Sequence, residues 1–182
     1  MRFHAKLIVT LLLLVQIVVV FSGETPKWFS DLVYNCRNAH DLIVDDEIVS
    51  ELYQTITSVA LKYDLDPLLI TAMIKVETEF RNVIGIAGEL GMMQIKKETA
   101  QLVARKFGLK EPDDGWLTLL WDYRLNIEYG ALYLKYLLEK SDGNVVKALE
   151  WYNGGSFKTE YARSVMSSYK ELISDTTANR GG

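Results

Sequence analysis

At 182 residues, the chain has room for one domain with a real core plus a targeting segment. Its hydrophobic share of 49% is inflated by the N-terminus; beyond residue 22 the balance is 18 basic against 24 acidic residues, or −6, which excludes a nucleic-acid partner and gives no electrostatic reason to dock on anionic lipid. One cysteine, Cys36, excludes an internal disulfide, and two histidines near the N-terminus leave neither a conventional zinc site nor a Ser-His or Cys-His pair in the main body, so no metal and no cofactor is expected.

Met1 to Phe21 has a positive start, Arg2 and Lys6, and then an apolar run from Leu7 broken only by Thr10 and Gln16. That layout is a secretory signal over residues 1–22, or an uncleaved membrane anchor. Either implies export to the periplasm or cell envelope, with membrane contact only through this segment. Residues 23–47 read as an irregular lead-in, with Pro26, Asn35 and Asn38 among scattered aromatics. From Asp46 the pattern turns helical, with Ile48, Leu52, Ile56, Val59 and Tyr63 on one stripe. Asp66-Pro67 is a start signal, a capping acid followed by proline in the first turn, for a helix ending near Phe80. A glycine-punctuated stretch follows through Gly85, Gly88 and Gly91. Further helices are predicted over Thr99–Phe107, stopped by Gly108, then over Asn126–Glu139, Asn144–Tyr152 and Tyr161–Leu172. Residues 174–182 read as a polar, disordered tail. No segment alternates long enough to build a sheet, so residues 48–173 are expected to form a single, mostly α domain.

Chemistry concentrates in three places. Ile70, Met73, Ile74 and Glu77 follow the i, i+3, i+4, i+7 rule and share one helix face. A carboxyl among apolar neighbours, near the negative end of a helix dipole, has its ionised form disfavoured twice over. It is then a proton donor near neutral pH, suited to a glycosidic oxygen. The alternative for Glu77 is an ion pair with Lys75 or Arg81. Glu79, two residues on, points away and reads as a solvated charge. In Gly88 to Gln94, glycines allow close approach of a ligand, Met92 and Met93 offer an adaptable apolar wall, and Gln94 both donates and accepts. Tyr152 lies in phase with Val145, Ala148 and Leu149, which turns its ring inward while its hydroxyl seeks a partner, and Asn153 adds an amide beside the Gly154-Gly155 turn.

Taken in order, these segments resemble the lytic transglycosylases of the soluble type, relatives of goose-type lysozyme. The resemblance rests on Asp66-Pro67 through Glu77-Thr78 to Phe80, on Gly88 to Gln94, and on Glu98-Thr99-Ala100. It continues through Asn126-Ile127, Gly130-Ala131 and Tyr133-Leu134, then Ala148, Tyr152-Asn153 and Gly155, and closes on Tyr161-Ala162 and Val165. Departures are Thr78 and Gly85 where serine is common, Lys97 where proline is usual, and Trp151 where the residue is usually smaller.

The resemblance implies a lysozyme-like helical domain that acts on peptidoglycan glycan strands. It implies cleavage between N-acetylmuramic acid and N-acetylglucosamine with 1,6-anhydro ends, Glu77 serving as acid and then base. Glu89, Met92, Met93, Gln94, Tyr152 and Asn153 would bind substrate, with Glu89 in a supporting role. Two other readings remain: a hydrolase of the goose-lysozyme kind, and an inactive peptidoglycan-binding module of an envelope machine.

Overall fold

Asp66 and Pro67 start the helix around which the domain is built. The Asp66 side chain accepts a hydrogen bond from the Leu68 amide at 2.8 Å, and Pro67 occupies the first turn, where its missing N–H costs nothing. In the computed structural model, which describes residues 24–178, the helices are α1 (Lys27–Asn38), α2 (Asp46–Tyr63), α3 (Pro67–Thr78), α4 (Lys97–Phe107), α5 (Thr118–Trp121), α6 (Tyr123–Lys140), α7 (Val145–Asn153) and α8 (Lys158–Ala178). Among the described residues the only β pairing is two isolated bridges, Ile84 with Leu90 and Leu90 with Ile95. The mostly α reading therefore holds.

Helix α3 is apolar nearly all round. Leu69, Ile70, Ala72, Met73 and Ile74 are buried, and α8 and α2 pack against it. Each of the larger side chains among these contributes about 1.5–3 kcal/mol of transfer free energy. Helix α6 crosses α2 and α7, and α7 lies on α8. Asp45, Asp122 and Asn144 cap α2, α6 and α7 through side-chain acceptors, so these boundaries follow from local chemistry.

The lead-in differs from its expectation. Residues 27–38 form α1, not an irregular segment, and Phe29 and Val33 lie in the core. Pro26 sits at the N-cap and Asn38 is the last helical residue, so these two bracket a helix, while Asn35 is accommodated in its last turn. The Phe29 ring meets Tyr53 and Phe80 at centroid distances of 5.2 and 6.0 Å. The last helix is also longer than predicted, running from Lys158 through residues 174–178 of the expected tail. The signal or anchor segment, residues 1–22, and tail residues 179–182 lie outside the described residues.

Candidate active site

Glu77 is the penultimate residue of α3. The chain leaves the helix through two consecutive left-handed residues, Glu79 (φ 52°) and Phe80 (φ 60°). That conformation is costly for residues with a Cβ, so something must hold it. On one side the Thr78 hydroxyl donates to the Met92 carbonyl at 2.9 Å, tying the helix end to the Gly88–Gln94 loop. On the other, Arg37 Nη1 donates to the Phe80 carbonyl at 3.0 Å, and Arg81 Nε donates to the Thr78 carbonyl at 2.8 Å. His40 Nδ1 faces Arg81 Nη1 at 3.3 Å and its Nε2 faces Glu79 Oε2 at 2.9 Å. Arginine can only donate, so the His40 proton sits on Nε2 and is given to Glu79. Glu79 does point away from the Glu77 face, as expected, but it is half-exposed and paired, not merely solvated.

The loop itself is pinned by Asn126, fully buried on α6. Its Oδ1 accepts from the Met93 amide at 2.8 Å, and its Nδ2 donates to the Leu90 and Leu119 carbonyls at 2.8 and 3.0 Å. Gly91 is required beside it. A Cβ there would lie 2.3 Å from the Leu119 oxygen and 2.5 Å from Asn126 Nδ2, at φ 69°.

These ties leave a cleft of about 390 Å³ lined by Glu77, Glu89, Gln94, Tyr152 and Asn153, joined by Ile95, Lys96, Thr99, Tyr133, Trp151, Gly154 and Gly155. Met92 and Met93 do not line it. Their side chains are buried in the core, at 1% and 0% exposure, and Met93 Sδ fills the space that a Cβ on Gly130 would need. They act through their backbones instead: Met92 accepts from Thr78, and Met93 accepts from the Tyr152 hydroxyl at 3.0 Å. The ring faces that line the cleft come from Tyr133, Trp151 and Tyr152 instead. An adaptable side chain in a loop is pulled inward when a core cavity lies beneath it.

Electrostatically the two carboxyls of the cleft are opposites. Burial pushes Glu77 up to about 7, and the negative charge of Glu89 adds to that shift. The Tyr161 hydroxyl pulls the other way, and this buried hydroxyl has no other group to bond to. Neither basic neighbour proposed as a partner for Glu77 takes that role, since Lys75 pairs with Glu171 at 3.1 Å and Arg81 is spent on Thr78 and His40. Burial would raise Glu89 as well, but its own backbone amide, Lys96 at 3.2 Å and the Ala87 amide at 2.9 Å outweigh it and hold Glu89 below the ordinary carboxylate value. Environment alone thus brings one acid into the neutral range and keeps the other ionised. Burial raises the phenols of Tyr152 and Tyr161 well above their ordinary values, so both are neutral donors.

Gln94, at φ 49°, gives its Nε2 to the Gly91 and Val83 carbonyls at 2.8 and 3.2 Å, leaving Oε1 as the acceptor. Gly85 faces it: a Cβ at that position would lie 2.4 Å from both Gln94 Oε1 and Glu89 Oε2. The serine common there in the resembling family therefore could not coexist with these two side-chain positions. Tyr133 and Tyr161 complete the site without having been singled out from sequence as site residues, although both sit inside the quoted motifs; Trp151, marked there only as a departure, lines the cleft as well. Among the described residues no cluster of three His, Cys, Asp or Glu is placed to hold a metal ion.

Comparison with known proteins adds a family and a fold. Residues 54–173 match the family described as the transglycosylase SLT domain. The chain is 31% identical over 130 residues to a protein of Buchnera aphidicola named membrane-bound lytic murein transglycosylase E; the match covers 69% of this chain and 60% of that protein. Its fold is similar, with a TM-score of 0.59 and 23% identity, to the X-ray structure of an inactive mutant of the lytic transglycosylase Slt of Pseudomonas aeruginosa, over 66% of this chain and 24% of that one. The chain thus spans less than two thirds of the length of either protein.

Proposed function

The chain belongs to the transglycosylase SLT domain family, and on that premise we propose that it cleaves the β-1,4 bond between N-acetylmuramic acid and N-acetylglucosamine in peptidoglycan, leaving 1,6-anhydromuramic ends. The observation that carries this reading is one carboxyl, Glu77, raised to about 7 at the floor of an open, aromatic-walled cleft. Protonated Glu77 gives its proton to the leaving glycosidic oxygen as the bond to the muramoyl C1 breaks. The substrate's own acetamido group stabilises the positive charge at C1. Glu77, now a carboxylate, takes the proton of the muramoyl 6-hydroxyl, whose oxygen bonds to C1 and closes the ring. Glu77 ends protonated and no water is consumed. The internal nucleophile needs no second bound reactant. Glu89, ionised and anchored by backbone and Lys96, keeps negative charge near C1 and Glu77; with Gln94, Asn153 and the rings of Tyr133, Trp151 and Tyr152, it binds the strand.

A second reading rests on Glu89 as well. A second ionised carboxylate in the same cleft is what a water-using glycosidase employs. Mass analysis of fragments released from purified peptidoglycan separates the two. Anhydro ends, lighter by one water, are expected; reducing muramic ends assign the hydrolase.

The place of action is the envelope, reached through residues 1–22. The curated relative is named as membrane-bound; among the described residues no helix is long and apolar enough to cross a membrane. Fractionation with protease access should find residues 24–182 outside the cytoplasmic membrane, and a soluble, full-length cytoplasmic protein overturns this.

A further inference from the structure

The cleft does not stop at Trp151. Three helices each turn one face toward a continuous surface that starts at cleft-lining residues and runs outward. On α4, Lys106 lies seven residues beyond Thr99. On α6, Tyr136 and Lys140 lie three and seven residues beyond Tyr133. On α7, Lys147 lies four residues before Trp151. All three spacings keep a helix face. The side chains meet: Tyr133 and Tyr136 stack at 6.4 Å between centroids, Lys106 and Lys140 lie 5.9 and 5.3 Å from the Tyr136 ring, and Lys140 and Lys147 lie 6.0 and 4.8 Å from the Trp151 ring.

Like several other lysines of the chain, these three make no ion pair among the described residues; what sets them apart is that all three gather over two neighbouring aromatic rings. Cation–π contact at an exposed site holds an ammonium in place but neutralises nothing, so the charge stays available. Trp151, which joins this platform to the cleft, is also where the sequence departs from its family toward a larger residue.

We propose that Lys106, Lys140 and Lys147, with Tyr136 and Trp151, form a subsite for the carboxylates of the peptide stem carried by the glycan strand, so that stem-bearing strands are preferred over bare ones. This rests on the peptidoglycan reading above. The platform begins at rings that line the cleft, so its occupant must be a substituent of the strand lying there. The stem is the anionic group that muramic acid carries, and its short apolar side chains suit the aromatic faces between the lysines. Flexible, singly charged lysines fit carboxylates spread along a mobile peptide better than a rigid guanidinium fork would.

The test combines Lys106→Gln, Lys140→Gln and Lys147→Gln, which remove charge from exposed positions and leave the cleft intact. Exposed ion pairs are individually weak, so three together should raise KM on stem-bearing peptidoglycan by about tenfold at low salt, less at high salt, with kcat unchanged. KM on strands stripped of peptide by an amidase should not move. Equal changes on both substrates, or none on either, overturn the subsite. Peptidoglycan freed of phosphate polymers but retaining its stems gives the same tenfold loss if carboxylates are the ligand; disappearance of the effect there assigns the platform to phosphate and overturns the proposal. Co-sedimentation of Glu77→Gln protein with stem-bearing and stripped sacculi, with and without the three lysines, reads the platform without turnover. If the unmodified protein cleaves neither substrate, the peptidoglycan reading fails on its own, and the subsite stands or falls by whether lysine-dependent retention is confined to stem-bearing material.

Discussion

The turn that ends α3 has two sides, and they treat a glutamate in opposite ways. Toward the cleft, Glu77 is raised to about 7 by burial. Two residues on, toward α1, Glu79 is half-exposed and joined to His40, which is joined in turn to Arg81. Both come from one helix end with the same dipole. The difference lies in what the third dimension brings: on one side aromatic rings and a Glu89 that takes the cleft's Lys96 for itself, on the other a hydrogen-bond partner, His40, from the turn after α1. A carboxyl becomes an acid where partners are withheld, and a structural tie where they are supplied.

The largest effect that would break this contrast is on Glu77. Glu77→Gln keeps shape and hydrogen bonding but removes the titrating proton, and kcat should fall by about 10²–10⁴-fold while strand binding survives. An active Glu77→Gln enzyme would remove Glu77 from its role. The same variant sharpens the electrostatic argument. The folded-state value of Glu77 is raised, so its contribution to stability is fully present below the unfolded value near 4.5 and lost as pH rises through about 7. Glu77→Gln should therefore be more stable than the wild type above pH 7, by roughly 3 kcal/mol, and lose that advantage below pH 5. Wild-type activity should decline through the same upper range, as the acid form disappears.

Next in size is Asn126→Ala. It strands the Met93 amide and the Leu90 and Leu119 carbonyls in the core, at roughly 3 kcal/mol, or on the order of 10 °C in Tm. Thermal melting reads this directly, and a shift under 2 °C would mean that the loop is held by something else. Glu89→Gln is milder. Activity should exceed that of Glu77→Gln, and the upper limb of the pH profile should move to lower pH, because the charge that raises Glu77 is gone; an unmoved limb separates the two carboxyls. Smallest is the α1 side. His40→Ala should cost about 1 kcal/mol of stability and change kcat by less than about threefold, since its partner Glu79 does not enter the cleft. A loss of kcat comparable to that of Glu77→Gln would erase the distinction between the two sides.

How much of this was open to reading from sequence varies with the range of the forces involved. Local chemistry marks its own residues. Asp66-Pro67 starts α3, Gly108 stops α4, and the heptad-like spacing of Ile70, Met73, Ile74 and Glu77 places the carboxyl on an apolar face, so the helical class, most boundaries and the environment of Glu77 follow from neighbours along the chain. Helix α1 was equally local and was misread, because Pro26 and Asn38 mark its ends and not its interruption. Contacts distant in sequence were decided elsewhere. Whether Met92 and Met93 face a ligand or the core depends on Gly130 and Asn126, more than thirty residues away. Whether Glu89 is ionised depends on Lys96 and the loop backbone, and the unpaired lysines of α4, α6 and α7 share a surface only because those helices pack side by side. A periodic pattern says which face of an element is apolar; it does not say which polar group from another element will reach it, because that is set by packing geometry.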